Sequence, residues 1–243
     1  DDVRRFWKGE PDSPRHLATR ITGSSDLYLR DGRKPFHSIN FITAHDGFTL
    51  NDLVSYNEKH NWGNGEEGRD GSNDNFSWNH GVEGSTENAN ISPDLKTQIE
   101  NLRGRQVKNA FAMLMLSQGT PMMLAGDEMR RTTNGNNNYW PQEDLNRIDC
   151  SLADKNADTV HFLEQISALR REFRLGWRTG DDYTWHGTKP FDQKFETDGR
   201  YLAWELKPTE GVPKKLYSGF NSYWEPLDVE LPPGQWRLRS DTM

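Results

Sequence analysis

Two short apolar runs and the helix between them set the strongest limit on how this chain can fold. Residues 38–44 read Ser-Ile-Asn-Phe-Ile-Thr-Ala, and residues 122–125 read Met-Met-Leu-Ala. Runs of this length and apolar content predict buried strands. Between them, Ser92-Pro93 supplies a cap followed by proline at the first helical position. Leu95, Ile99 and Leu102 then recur at spacings of four and three, and residues 110–116 are apolar on nearly every side. The far end of this helix is therefore expected to be deeply buried.

Each run ends in carboxylates. The first leads into His45-Asp46-Gly47 and the second into Gly126-Asp127-Glu128. In α/β barrels, catalytic groups sit where strands end and loops begin. Here each strand end is followed by polar sequence. Residues 57–90 lose all periodicity and are rich in Gly and Asn, with Trp62, Phe76 and Trp78 embedded. A loop this long in a compact domain is functional or disordered, and the aromatics favour an ordered, ligand-facing loop. The second loop carries Asn134-Gly135-Asn136-Asn137-Asn138. Polar side chains that bond hydroxyls, beside aromatic faces that cover a sugar ring, suit a polyol ligand. Asn and Gly also make tight turns, and composition does not choose between these two roles.

The rest of the chain reads as helices and then short strands. Residues 2–8 end a helix at Gly9, and Ser13-Pro14 opens another through Leu17 and Ile21 to Gly23. Thr49 with Asp52 forms a weak capping box. Asp158 is expected to cap a helix carrying Phe162, Ile166, Leu169 and Phe173. After Trp177, the runs 201–206, 216–221, 227–231 and 236–239 are separated by Pro and Gly, which predicts a short antiparallel β domain.

Charge and composition narrow the partners. The net charge of −7 is the wrong sign for a nucleic-acid polymer, whose binding rests on Lys and Arg at phosphates. No run approaches the ~18 apolar residues of a membrane span. Cys150 is the single cysteine, which fits a reducing compartment, and a cytoplasmic setting is expected. His37, His45, Asp46, His60 and His80 fall in one region but match no tight ligand spacing; no metal and no cofactor are expected.

The ordered motifs carry a resemblance. Residues 40–50, Asn-Phe-Ile-Thr-Ala-His-Asp-Gly-Phe-Thr-Leu, resemble the α-amylase superfamily of glycoside hydrolases, and within it the isoamylase-type glycogen debranching enzymes. The likeness continues through Lys59-His60-Asn61, Asn64-Gly65-Glu66, Arg69-Asp70-Gly71 and Ser77-Trp78-Asn79. It resumes at residues 116–121, at Gly126-Asp127-Glu128 and at Gly135-Asn136-Asn137-Asn138.

This resemblance implies the C-terminal portion of a (β/α)8 TIM barrel over 1–176, followed by an antiparallel β-sandwich over 177–243, both incomplete. It implies a retaining hydrolase of α-1,6 branch points in glycogen, amylopectin or limit dextrin, working through an oxocarbenium-like transition state. Asp46 matches the third carboxylate, which grips sugar hydroxyls and helps distort the ring. His45, Asn136 and Asn137 match substrate-binding positions. The nucleophile and the acid/base are expected on strands preceding residue 1. The opening Asp1-Asp2-Val3, without Met, is accordingly read as the start of a segment of a longer polypeptide, inactive alone.

The sequence departs from the family pattern at Trp62, over residues 139–144, and near Arg147-Ile148-Asp149, where a Trp is missing. Two other readings stay open: a glucan-binding protein without catalysis, and a metal-dependent hydrolase using the histidines.

Overall fold

A computed structural model describes residues 1–195 and 199–243. Its helices are α1 (Asp2–Trp7), α2 (Ser13–Ile21), α3 (Ser25–Tyr28), α4 (Leu50–Leu53), α5 (Pro93–Leu116), α6 (Glu143–Asn146), α7 (Leu152–Lys155) and α8 (Ala157–Glu172). The strands are β1 (Ile39–Asn40), β2 (Thr120–Pro121), β3 (Tyr183–His186), β4 (Tyr201–Leu206) and β5 (Leu216–Asn221). The residues gather into two compact units that cut across the boundary expected at 176/177. One contains Asp1–Asn40, Met113–Pro121 and Ile166–Asp241; the other contains Phe41–Ala112, Met122–Gln165 and Thr242–Met243.

The first unit holds both sheets. β1 and β2 pair in parallel, Ile39 opposite Thr120 and Asn40 opposite Pro121. The ladder is much shorter than the apolar runs predict. Pro121 has no N–H to give a neighbour, and Thr43 turns its hydroxyl to a carboxylate beyond the ladder. Residues 122–125, read as a buried strand, form none, and Met122 is 39% exposed. An apolar run shows that a strand is possible but not which residues find a partner. Gly119 makes the approach of the two segments possible: a Cβ there would lie 2.5 Å from the Ser38 carbonyl oxygen, and its φ is +96°. Beside it, Arg170 donates to the carbonyls of Met115 at 2.7 Å and Ser117 at 2.6 Å. That satisfies acceptors left free where α5 ends.

β3, β4 and β5 form one antiparallel sheet, with Trp185 opposite Trp204 and Leu202 opposite Phe220. Its core is Leu202, Trp204 and Leu206, all fully buried, and Tyr183 meets the Trp204 ring edge-on at 5.3 Å. Two of the four expected strands form with the expected bounds. The runs 227–231 and 236–239 are not strands, so no second sheet of a sandwich exists among the described residues. Pro226, Pro232 and Pro233 remove ladder donors at both edges of the first run.

The second unit is built around α4, the first part of α5, and two long irregular segments. Ser92 Oγ accepts from the Leu95 N–H at 3.3 Å, and Thr49 Oγ1 accepts from Asp52 N–H at 3.1 Å, so both residues cap, but the box at Thr49 stays half-formed because the Asp52 carboxylate bonds to residues 132–135. Asp158 sits inside the first turn of α8, where it pairs with Lys108 at 2.8 Å, and does not precede it as a cap.

Segment 57–90 is held to α5 by Arg103, which is 2% exposed. Its guanidinium donates to the carbonyls of Asn79 at 2.7 Å, Gly84 at 2.8 Å and Val82, and it pairs with Glu100 at 3.2 Å. A rigid fork of donors can satisfy several fixed carbonyls at once. Replacing Arg103 by Ala leaves those carbonyls buried and unpaired, and should cost about 3–5 kcal/mol in denaturant unfolding. Arg103→Lys should recover only part of that loss, and a loss below about 1 kcal/mol for Arg103→Ala would refute the assignment.

Candidate functional site

His45 and Asp46 lie on a tight loop between Thr43 and Leu50. Both side chains are 85% exposed, and His45 Nε2 approaches Asp46 Oδ2 at 3.4 Å. Burial resumes two residues away on either side, and Thr43 is 3% exposed. Phe48 is fully buried, with its ring 6.2 Å from Tyr56, and Gly47 takes φ +114° and donates its N–H to the Asn137 carbonyl at 2.9 Å. An open imidazole–carboxylate pair is thus presented on a backbone that is buried on both flanks.

Asp127 lies behind the loop and is 1% exposed. Its Oδ2 accepts from the Thr43 hydroxyl and its Oδ1 from the Leu50 N–H at 2.8 Å. Burial pushes its pKa up to about 6, against these hydrogen bonds, and the charges of Glu128 and Asp52 add to the rise. Asp52, fully buried in α4, secures the other loop. It accepts from Thr133 N–H at 2.7 Å, Thr133 Oγ1 at 2.8 Å, Gly135 N–H at 3.3 Å and the Thr132 hydroxyl. Burial raises its pKa too, with the four hydrogen bonds opposing.

The two irregular segments interlock through carboxamides. Asn137 N–H donates to Asn61 Oδ1 at 3.0 Å, and Asn61 Nδ2 returns a bond to Asn137 Oδ1 at 2.9 Å. Asn137 Nδ2 donates to Ser72 O at 2.8 Å and Asn75 Oδ1 at 2.9 Å. Asn64 and Asn136 exchange amide bonds of 3.2 and 2.7 Å. Asp70 accepts from Asn64 at 2.7 Å and Asn138 at 2.9 Å. Against burial, which would raise its pKa, those two bonds and the Lys59 charge hold Asp70 below the usual carboxylate range. Gly71 is required here: a Cβ would sit 2.1 Å from Asn137 Oδ1 at φ +69°.

The residues singled out from the sequence are therefore brought together, but with different surroundings. His45 and Asp46 face solvent. Asn136 and Asn137 are each 2% exposed, and their amide groups are engaged inside the protein. The sequence marks Asp52 only as a partner of the Thr49 cap, and Asn61 and Asn64 only as parts of family-like motifs, with no role in a site. Asp52 has a visible signal, an acid between Leu50 and Leu53 on a short apolar turn, but its partners lie about eighty residues away. The histidines weighed as metal ligands each have their own contact: His60 with Glu83 at 3.4 Å, His80 with Val54 O at 2.9 Å, and His37 with the Lys34 backbone at 2.8 Å. Among the described residues, no three His, Cys, Asp or Glu side chains are grouped to hold a metal ion. No described helix is long and apolar enough to cross a membrane.

The raised pKa of Asp127 gives a signed pH dependence. The folded chain binds this proton more tightly than the unfolded one. The resulting stabilisation is complete below about pH 4 and is lost as pH rises through about 6. Its size is about 2–3 kcal/mol. Unfolding free energies of wild type and Asp127→Asn should therefore diverge across that window, with the variant gaining on the wild type as pH rises. Parallel pH profiles would contradict the raised value.

No family model matches the sequence. A glycogen operon protein GlgX homolog of Mycobacterium tuberculosis is 53% identical over 176 residues, covering 72% of this chain and 23% of that protein. Isoamylase 3, chloroplastic, of Oryza sativa subsp. japonica is 42% identical over 242 residues, covering 96% of this chain and 29% of the relative. In fold, the chain is similar to the apo pullulanase of Paenibacillus barengoltzii, with a TM-score of 0.64 and 20% identity over 98% of this chain and 33% of that one. The chain thus spans between 23% and 33% of the length of these proteins. With sequence relatedness running through almost all of it, the chain belongs to the isoamylase-type debranching enzymes of the α-amylase family.

Proposed function

We propose that this chain is the part of an α-1,6-glucan debranching glycosidase that supplies Asp46 as the substrate-gripping, transition-state-stabilising carboxylate, with His45 beside it. In this reading residues 1–176 belong to the C-terminal portion of a (β/α)8 barrel and residues 177–243 to a β-rich domain that follows it. The parallel pairing of β1 with β2 across the intervening α5 supports the barrel, since parallel strands need a long crossover.

The observation that carries the reading is the His45–Asp46 pair itself, 85% exposed on a loop whose two ends are bonded to Asp127. Glycoside cleavage passes through a flattened, positively charged sugar ring. Hydrogen bonds that the sugar hydroxyls donate to Asp46, and those they share with His45, lower the barrier to the extent that they strengthen as the ring distorts. Neither group needs to exchange a covalent bond with the sugar. Two further carboxyl groups must act as nucleophile and acid/base, and no residue of this chain is assigned to either role. The ligand is an uncharged branched α-glucan such as glycogen, amylopectin or limit dextrin, so the −7 charge neither helps nor hinders it. The reaction calls for no metal or cofactor.

Asn136 and Asn137 act in this reading by shaping the loop under Asp46. Asn137 meets Gly47 through its own carbonyl, so an error in the interlock is transmitted to the gripping pair.

Two substitutions separate these roles. In the polypeptide that carries this segment, Asp46→Asn should lower kcat for reducing-end release from amylopectin by about 10²–10³-fold. Its melting temperature should stay unchanged, because the side chain is exposed. Retention of full activity would sink the proposal. Asn137→Ala should instead destabilise by about 2–4 kcal/mol, since it strips three side-chain hydrogen bonds from a buried junction. A variant that loses glucan affinity with no change in melting would show Asn137 to be a direct sugar contact.

A further inference from the structure

We propose that Asp127 is the positioning residue of the His45–Asp46 loop, one buried carboxylate that closes both ends of the loop and so fixes where the pair points. Thr43 and Leu50 are the last residues on either side of the loop, and they bond to the two different oxygens of this single side chain. The Leu50 N–H opens α4 and has no partner within the helix, so the carboxylate satisfies a donor that would otherwise be buried and unmet. Clamping both ends removes the freedom the exposed tip would otherwise have.

Asp127 is itself held. It opens a short 3-10 turn, Asp127–Met129, after Gly126 at φ +96°, and Glu128 accepts the Gly126 N–H at 2.9 Å. A Cβ at Gly126 would press within 2.8 Å of the Arg131 side chain. The charged and titratable groups acting on this carboxylate are Glu128 on its own turn, Asp52 from α4, and Tyr139, over which Arg131 lies at 5.0 Å.

The two bonds do not require a charge. An asparagine at this position can accept from Leu50 through its amide oxygen and donate to the Thr43 oxygen through its amide nitrogen. Position and charge can therefore be separated.

The test is hydrogen exchange followed by mass spectrometry on the full chain, comparing residues 43–50 with residues 99–112 in Asp127→Ala, Asp127→Asn and Thr43→Val. Asp127→Ala should speed exchange at 43–50 by about tenfold or more, with 99–112 unchanged, the scale expected for losing two buried hydrogen bonds. Asp127→Asn should stay within about threefold of wild type, and Thr43→Val should fall between the two. Should Asp127→Ala not fold, a loosened Thr43→Val beside a protected Asp127→Asn carries the same conclusion.

Unchanged exchange at 43–50 in both Asp127→Ala and Thr43→Val, equal damage by Asp127→Asn and Asp127→Ala, or acceleration spread evenly over 99–112 would each overturn the proposal. The consequence for ligand rests on the glucan reading above, and maltohexaose affinity measured on the same variants separates the two. Affinity lost in Asp127→Ala and restored in Asp127→Asn supports both. A loosened loop with unchanged affinity leaves the positioning role standing and counts against the glucan reading alone.

Discussion

Backbone that belongs to neither a helix nor a sheet must find hydrogen-bond partners elsewhere, and the second unit depends on how that demand is met. Segments 57–90 and 126–138 hold few repeating backbone bonds, so side chains supply them. Arg103 meets three carbonyls of one segment, Asp52 meets the backbone of the other, and the paired asparagines join the two. The exposed His45–Asp46 pair joins this network through Gly47, whose N–H meets the Asn137 carbonyl.

Much of this was legible in the sequence, and the parts that were not share a cause. Caps at Thr49 and Ser92 are local, since the residue that caps and the N–H it accepts lie within one turn, so spacing alone locates them. β4 and β5 were equally plain, because each is a run of strand length bounded by Pro and Gly, although only β5 alternates and β4 is buried at five successive positions. The ends of β1 and β2 depend on where Gly119 lets two distant segments meet, which no window of neighbouring residues contains. The asparagines illustrate the same limit. Their composition announced a polar loop, but whether an amide faces a sugar or another amide depends on partners some seventy residues away, as Asn137 does on Asn61. Asp127 read correctly as a carboxylate at the end of an apolar run, but its burial and its grip on Thr43 and Leu50 are tertiary facts.

The stabilising and functional demands pull in opposite directions at the two buried acids. Desolvation favours a neutral group at both Asp52 and Asp127, so ionising either one comes at a cost to the fold. Such costs are tolerated where an arrangement of acceptors is needed that apolar packing cannot supply. Two oxygens on one side chain, each bonded to a different chain segment, are such an arrangement.

The bonds that join Asn61, Asn75 and Asn137, and those between Asn64 and Asn136, run between groups without net charge, with the Asp70 carboxylate at their edge. Dissolved ions act on exposed charges and reach only a short distance, so they find little to weaken there. The amide contacts around Asn137, whose carbonyl meets Gly47 beside Asp46, should therefore respond little to ionic strength, while surface pairs such as Arg147 with Glu143 loosen as salt is added. A loop platform made of amides keeps its form across media in which one made of ion pairs would not.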